Sequence, residues 1–179
     1  MQTVPPSIRM PGPPSHRLVR RRLAAAALGL ALAARSGTAP ALEVTRARVV
    51  AAPPAAVWSL IGGFCDIARW HPQVAGCTLS REDGAPVRAL VAAGGLGTIL
   101  EIETARDEAG LRYAYRLISG PLPVKGYAAV LAVTPIGRGA MVTWTATFEA
   151  DGMSDAEAVA DIAGVYEAGL AGIAREVAP

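Results

Sequence analysis

The chain has 179 residues and a formal net charge of +2, a length that suits one domain with a short appendage. Six basic and no acidic residues precede position 42, whereas the remainder holds 11 basic and 15 acidic residues, a net charge of −4. The domain is therefore mildly acidic and poor in aromatic rings, and this excludes a nucleic-acid partner, which needs a basic patch and stacking surfaces.

Residues 1–41 have the pattern of a signal peptide. Four arginines within residues 17–22 precede a 12-residue run of Leu, Ala and Gly, Leu23–Ala34. The run is shorter than the ~20 residues that span a bilayer but fits a signal-peptide hydrophobic region of ~7–15 residues. The small-residue site Ala39–Ala41 predicts cleavage before Leu42. An uncleaved membrane-anchoring helix is the alternative, and the export route stays open.

Residues 42–179 are predicted to form one α+β domain that begins with a strand and two short helices. These elements occupy Glu43–Val50, Ala55–Ile61 and about Cys65–Trp70. The pair Pro53-Pro54 ends the strand and opens the first helix, because proline is favoured at the first helical position. The pair His71-Pro72 ends the second helix, since the residue before a proline avoids helical geometry.

Six further strands follow, separated by turns rich in Gly, Asp and Pro. They are Val74–Arg81, Val87–Ala92, Gly97–Thr104, Leu111–Ile118, Gly126–Val133 and Ala140–Glu149. The last of them alternates clearly, with Val142, Trp144, Ala146 and Phe148 on one face. Such one-sided alternation indicates an antiparallel sheet with one covered face.

The covering element is the C-terminal segment. Ser154 and Glu157 form a capping box, and apolar residues then recur at helical spacing as far as Val177. The spacing predicts a helix of about six turns. A long helix across a curved antiparallel sheet is expected to enclose a cavity.

The cysteine and histidine content limits the chemistry of the domain. Cys65 and Cys77 pair in an oxidising compartment or stay as buried thiols, and their spacing does not decide between the two. His71 is the single histidine after residue 41, which argues against a His-rich zinc site. Neither a metal site nor a cofactor is predicted.

An ordered set of motifs resembles the START/Bet v 1-like (SRPBCC) superfamily, in particular its polyketide cyclase/dehydrase-like branch. The matching positions are residues 51–64, Trp70-His71-Pro72, Glu101, Asp107, Tyr115, Gly120–Val124, Tyr127, Trp144, Phe148 and residues 166–170. The resemblance extends over about residues 43–177. It implies a helix-grip fold, a seven-stranded sheet wrapped around the C-terminal helix with an apolar pocket between them.

The resemblance also implies roles for particular residues. Plant hormone receptors of the superfamily have a pocket acid, a latch loop and a pocket tyrosine that resemble Glu101, Gly120–Val124 and Tyr127. His71 falls where those receptors place a cation for a ligand carboxylate. This chain has Leu122-Pro123 instead of the receptors' latch histidine and arginine, so hormone sensing is not implied. The Gly94–Gly97 segment resembles their gate and is a hairpin turn rather than a phosphate loop.

Two residues are the candidate catalytic groups, and each has a simpler alternative. His71 binds an anionic group or transfers a proton, or else it is a structural histidine. Alternation alone predicts that Leu100 and Ile102 are buried and that Glu101 faces water. The resemblance instead places Glu101 in the cavity, where it would accept or donate a proton.

The predicted ligand-binding set combines these two groups with aromatic and apolar residues. It consists of His71, Glu101, Tyr113, Tyr115, Leu122, Tyr127, Trp144, Tyr166 and Leu170. Core packing is the alternative for the rings, and Tyr127 and Tyr166 are favoured as cavity residues.

Three functions follow from this set. The first is a periplasmic or secreted protein that binds a small hydrophobic molecule and does not stay in the membrane after signal cleavage. The second is a cyclase, dehydratase or isomerase that uses Glu101, His71 and a tyrosine on a carbonyl compound. The third is an accessory protein with a periplasmic protein partner such as a dehydrogenase, because exported members of the superfamily resemble a protein of methanol-oxidation gene clusters.

Overall fold

The structure is a computed structural model that describes residues 41–178. Residues 1–40, which are all but the last residue of the predicted signal peptide, lie outside the described residues, as does Pro179. The described elements are β1 (Leu42–Val50), α1 (Pro54–Ile61), α2 (Ile67–Trp70), β2 (Val74–Glu82), β3 (Ala85–Ala92), β4 (Thr98–Asp107), β5 (Arg112–Ser119), β6 (Val124–Ile136), β7 (Gly139–Ala150) and α3 (Asp155–Glu176).

The seven strands form one antiparallel sheet in the order β1-β7-β6-β5-β4-β3-β2. Consecutive strands from β2 to β7 are neighbours, while β1 crosses to pair with β7, and the two short helices connect the opposite edges. Helix α3 packs against β1 and β7 on the buried face of the sheet. This architecture confirms the predicted helix-grip fold, and none of the helices within residues 41–178 is long and apolar enough to cross a membrane.

Helix α3 is positioned by its cap and by two glycines. The predicted capping box is present, because Ser154 Oγ accepts from the Glu157 backbone while the Glu157 carboxylate accepts from the Ser154 backbone. A Cβ at Gly169 would lie 2.6 Å from His71 Cδ2 and 2.7 Å from the Trp144 ring. A Cβ at Gly172 would collide with the Trp70 carbonyl oxygen. The missing side chains therefore let α3 approach the end of α2 closely.

The burial of β7 follows the predicted alternation, whereas that of β4 does not. Val142, Trp144, Ala146 and Phe148 are all buried. On β4 the pairing register with β5 shifts twice, and Glu101 and Ile102 are both buried although they are consecutive. Alternation fails here because a β-bulge locally breaks the period of two. The alternative in which Glu101 faces water is wrong.

Cys65 and Cys77 form a disulfide with their Cα atoms 5.5 Å apart. The bond joins the turn before α2 to strand β2. The closed segment contains all of α2 and the His71-Pro72 turn.

Candidate functional site

A cavity of about 650 Å³ lies between the sheet and α3. Most of the side chains around it are apolar, and a small number of polar groups lie among them. Ligand sites typically have volumes of about 300–1,000 Å³ and this same composition. The residues after α2, the inner face of β3 to β7 and the first half of α3 all contribute to the lining.

Two loops border the cavity: the β3–β4 connection, residues 93–97, and the β5–β6 connection, residues 120–123. The first contains the segment predicted as a hairpin turn. Its three glycines have positive φ angles of 74°, 75° and 111° at Gly94, Gly95 and Gly97, a region that glycine adopts without strain. Leu96 between them lines the cavity and is 72% exposed. A Cβ on Gly97 would lie 3.7 Å from Pro121, so the two loops are close together.

Three tyrosines and one tryptophan form a hydrogen-bonded chain on the cavity lining. Trp144 Nε1 donates to Tyr115 Oη over 2.9 Å. Tyr115 Oη lies 3.4 Å from Tyr127 Oη, which in turn lies 2.6 Å from Tyr166 Oη. The Tyr166 ring stacks on the Trp144 ring with centroids 4.3 Å apart and an interplanar angle of 6°. The four side chains come from β5, β6, β7 and α3, so the chain links α3 to the sheet.

The phenols of this chain stay protonated. Burial raises the pKa of Tyr115, Tyr127 and Tyr166 above the ordinary value, and the negative charge of Glu101 raises each of them further. Uncharged phenols both donate and accept hydrogen bonds. The chain therefore presents neutral polar groups to a ligand.

Glu101 lines the cavity as half of a buried ion pair with Arg88. Arg88 Nε donates to Glu101 Oε2 over 2.6 Å, with 0% of the Arg88 side chain and 6% of the Glu101 side chain exposed. Burial opposes the charge on Arg88, but the Glu101 carboxylate together with Tyr113 and Tyr115 outweighs burial, so the pKa of Arg88 lies above its ordinary value. The Arg88 guanidinium is therefore charged.

Arg88 is held by further contacts around its guanidinium. Nη1 donates to the Phe64 carbonyl oxygen over 2.7 Å, while Cζ lies 4.2 Å from the Phe64 ring centroid and 4.7 Å from that of Tyr115. Such cation–π contacts offset part of the cost of burying the charge. Nη2 is buried and has no hydrogen-bond partner among the described residues.

Arg88 is not among the predicted site residues, although its position on β3 indicates burial. On β3, Arg88 lies two residues before Leu90 and four before Ala92, so the three side chains share one face of the strand. Leu90 and Ala92 are buried core residues, and the register places Arg88 directly opposite Glu101. Because Arg88 shares the face of β3 that holds these apolar residues, the sequence indicated that its side chain is buried.

His71 also lines the cavity, but both of its ring nitrogens are engaged by backbone. Nδ1 accepts from the Gln73 backbone N–H over 3.1 Å, so the proton is on Nε2, which donates to the Val165 carbonyl oxygen over 3.0 Å. Burial lowers the pKa of His71 to about 4, although the hydrogen bond to the Val165 carbonyl raises it in part. His71 is therefore neutral at pH 7, and it connects the α2–β2 turn to α3.

Most of the predicted site residues come together around one cavity. Those that line it are His71, Glu101, Tyr115, Leu122, Tyr127, Trp144 and Tyr166. Tyr113 and Leu170 are buried in the core and do not line the cavity. Tyr113 instead packs against Phe64, with ring centroids 5.7 Å apart. Glu101 and His71 line the same cavity, but each is hydrogen-bonded to other groups rather than to the other.

A second arginine–glutamate pair lies outside the cavity. Arg106 Nε donates to Glu103 Oε1 over 3.0 Å, and Nη1 donates to the Gly62 carbonyl oxygen over 2.8 Å. Nη1 also contacts the exposed Glu108, which accepts from Trp58 Nε1. The Arg106 side chain is 25% exposed, so water reaches this pair.

Residues 41–178 match the protein family described as "Polyketide cyclase / dehydrase and lipid transport". The chain belongs to this family. The match covers nearly all of the described residues, and the family is the branch that the sequence resemblance indicated. A search of curated proteins gives no match.

Solved structures show the same fold. The protein XoxI from Bacillus cereus is 29% identical, with a TM-score of 0.70 over 75% of this chain and 94% of that chain. A protein from Thermobifida fusca is 34% identical, with a TM-score of 0.64 over 75% of this chain and 91% of that chain. The Zhui aromatase/cyclase from Streptomyces sp. R1128 is 21% identical, with a TM-score of 0.63 over 76% and 93% of the two chains. At that identity the likeness to the aromatase/cyclase concerns the fold alone.

Proposed function

We propose that this protein binds a small, largely apolar molecule in the cavity between the sheet and α3. The observation that carries the proposal is the cavity of about 650 Å³, which is well above the lower limit of about 300 Å³ for ligand sites. Its polar groups are few and come from several different elements, an arrangement that orients a ligand whose body is apolar.

We further propose that the protein works in the periplasm or outside the cell. The signal-peptide pattern of residues 1–41 supports this location. The Cys65–Cys77 disulfide supports it independently, because structural disulfides persist in oxidising compartments and are rare in the cytosol.

Native mass spectrometry of the protein purified from the envelope or medium of its own host tests this proposal. We expect a co-purifying small molecule and a mass that corresponds to a chain starting at Leu42 with one disulfide. A mature protein that carries no ligand and also fails to bind an apolar dye such as Nile red would contradict ligand binding. A co-purifying protein instead of a small molecule would favour the accessory role beside a periplasmic partner.

A leucine pair provides the matched variants for the dye measurement. Leu122 lies in the loop bordering the cavity, whereas Leu79 lies on β2, is 54% exposed and is not part of the lining. Leu122→Trp adds bulk at the cavity and should weaken Nile red binding by about tenfold, a loss of about 1.4 kcal/mol. Leu79→Trp should bind like the unaltered protein. Equal affinities for all three proteins would place the dye elsewhere.

A second candidate function is proton transfer on a carbonyl compound, in keeping with the family description. The observation that favours it is a charged carboxylate on the same cavity as three neutral phenols. Glu101 would take a proton from the carbon next to the carbonyl while a phenol donates a hydrogen bond to the carbonyl oxygen and stabilises the enolate, and the protonated Glu101 would then return a proton to the carbon. His71 would keep a structural role, because both of its nitrogens are engaged.

Hydrogen–deuterium exchange distinguishes the two candidates. An aryl methyl ketone that occupies the cavity in D₂O should exchange its methyl hydrogens faster with the protein than without it, and Glu101→Gln should remove the acceleration. A ketone that binds without any accelerated exchange would leave ligand binding as the function.

A further inference from the structure

Glu101 has one carboxylate oxygen free for a ligand. Oε2 is bound by Arg88 Nε, and the pair has this single hydrogen bond, because Arg88 Nη2 does not reach Oε1. Within residues 41–178 no group donates to Oε1, and the 6% of the Glu101 side chain that is exposed belongs to a residue of the cavity lining. A carboxylate oxygen without a donor is a strong acceptor site.

The tyrosine chain has one hydroxyl hydrogen more than it uses. Three phenols supply three O–H donors, but two hydrogen bonds join them. If the hydrogens run from Tyr115 to Tyr166, the Tyr166 hydrogen is left over, and in the opposite direction the Tyr115 hydrogen is left over. Tyr115 cannot pass its hydrogen to Trp144, because Trp144 Nε1 is itself a donor. When Tyr115 and Tyr166 both donate to Tyr127, the Tyr127 hydrogen is left over, so in every arrangement these two hydrogen bonds use two of the three hydroxyl hydrogens.

The acceptor and the tyrosine chain line the same cavity. Arg88 contacts both groups, since its Nε binds Glu101 and its Cζ lies 4.7 Å from the Tyr115 ring centroid. The charge of Glu101 also contributes to the raised pKa of each of the three phenols.

The charge of the cavity lining disfavours an anion. Arg88 and Glu101 cancel, His71 is neutral at pH 7 and the phenols are protonated. The remaining charged residue of the lining, Asp161, is negative and exposed. A ligand carboxylate would therefore face Glu101 Oε1 without a free cation, and burying an unpaired charge is costly. Both ring nitrogens of His71 are hydrogen-bonded to backbone groups, so His71 could contact an anionic ligand only by giving up one of these bonds.

We propose that the ligand presents an uncharged hydroxyl group, an alcohol or a phenol, that donates to Glu101 Oε1 and accepts the spare tyrosine hydrogen. One hydroxyl has both capacities, whereas an ether or ketone only accepts and a carboxylate adds a negative charge. This inference rests on the proposed binding function and names the chemical class of the ligand. The rest of the molecule occupies the apolar part of the cavity.

Four probes with one apolar body test the inference: naphthalene, 2-methoxynaphthalene, 2-naphthol and 2-naphthoate, each measured at pH 7 by displacement of Nile red. We expect 2-naphthol to bind about tenfold more tightly than 2-methoxynaphthalene, because one charge-assisted hydrogen bond is lost in the ether. We expect 2-naphthoate to bind more weakly than 2-naphthol. Equal binding of all four would overturn the inference but leave the binding function, while tightest binding of 2-naphthoate would show an anion site. If Nile red does not bind, the binding function fails and the inference with it.

Glu101→Gln sharpens the test, because a purely structural role would not reverse a preference. The variant removes the negative charge and leaves Arg88 without its counter-ion. The preference for 2-naphthol over 2-naphthoate should then fall at least tenfold or reverse, whereas naphthalene should bind as before. An unchanged preference in a folded variant would overturn the inference, and if the variant does not fold, the four probes on the unaltered protein decide.

Discussion

The two arginine–glutamate pairs of this domain are built alike but lie in different surroundings. In each pair, the arginine Nε donates to a glutamate of β4, either Glu101 or Glu103. In each pair, Nη1 donates to a carbonyl of residues 62–64, and the guanidinium lies over aromatic rings. The Arg88 side chain is fully buried, whereas the Arg106 side chain is 25% exposed.

The pairs also differ in how fully their hydrogen-bonding groups are used. Arg106 contacts both oxygens of Glu103 and also Glu108. Arg88 binds one oxygen of Glu101 and leaves Nη2 without a partner among the described residues. The exposed pair is therefore complete and holds the turn after α1 in place, whereas the buried pair leaves an acceptor at the cavity. A buried ion pair with unused hydrogen-bonding groups lowers the stability of the fold. Such a cost is typical of binding sites.

The largest expected effect comes from removing one arginine at a time. Arg88→Met leaves the Glu101 charge buried without a counter-ion and should lower the free energy of unfolding by about 3–5 kcal/mol. Arg106→Met should cost about 1–2 kcal/mol, because Arg106 itself is 25% exposed and water can reach the position beside Glu103 that it leaves. Urea unfolding followed by circular dichroism measures both. Equal losses would mean that burial does not distinguish the two pairs.

Cys65 directly follows the turn after α1, which both arginine–glutamate pairs contact. Removing the disulfide therefore shows how far the two pairs alone hold this turn in position. Replacing both cysteines, Cys65→Ser with Cys77→Ser, should lower the free energy of unfolding by about 3 kcal/mol, the loss expected for a sequence separation of 12, because the unfolded chain gains freedom. Nile red affinity should fall as well, because Ile67, His71 and Val74 line the cavity from within this loop.

Reduction gives the matched control for this experiment. Dithiothreitol should destabilise the unaltered protein to the level of the double variant and should leave the variant unchanged. Unaltered stability after complete reduction would show that the noncovalent contacts are sufficient.

His71 extends the comparison to a buried group that stays neutral. Burial lowers its pKa in the folded protein to about 4, from about 6.5 in the unfolded chain. Between these values the unfolded chain binds a proton that the folded protein does not. Stability should therefore fall as the pH falls from 6.5 towards 4, with a slope approaching 1.4 kcal/mol per pH unit.

The variant His71→Gln isolates this contribution. His71 is the single histidine after residue 41, so a protein starting at Leu42 has no other histidine to titrate. Its free energy of unfolding, measured between pH 5 and 6.5, should depend less on pH in the variant. An unchanged slope would assign the pH dependence to other groups.

The smallest expected effect concerns two glycines of α3 in unlike surroundings. At Gly164 an added Cβ would meet nothing within 4 Å, so Gly164→Ala should stabilise the protein by about 0.5–1 kcal/mol through helix propensity. At Gly172 the Cβ would collide with the Trp70 carbonyl, so Gly172→Ala should destabilise it. Thermal unfolding of the two variants gives the signs, and a loss of stability in both would contradict the open surroundings of Gly164.

The order of the elements was predictable from the sequence because local signals mark each of them. Pro54 opens α1, the capping box opens α3, and alternation identifies the buried face of β7. Strand ends were less predictable. The strand predicted at Gly126–Val133 runs from Val124 to Ile136 in the structure, because pairing with β7 extends the strand in both directions.

The polar part of the cavity was less accessible from the sequence. Glu101 was placed in the cavity by the family resemblance against the evidence of alternation, since a β-bulge cannot be recognised from a period of two. Arg88 was missed because a single arginine in a strand usually belongs to the exposed face. Its burial depends on Phe64, Tyr115 and Glu101, which come from three other segments of the chain.

The pairing of the first strand with the last has a consequence for folding kinetics. Thr45 and Thr145 are hydrogen-bonded across β1 and β7 although 100 residues separate them, and Arg46 reaches Glu167 on α3. Forming these contacts requires closing almost the whole domain into one loop, and such non-local topologies fold in milliseconds to seconds rather than microseconds. We therefore expect the docking of β1 to be a late event in folding, after the hairpins from β2 to β7 have formed.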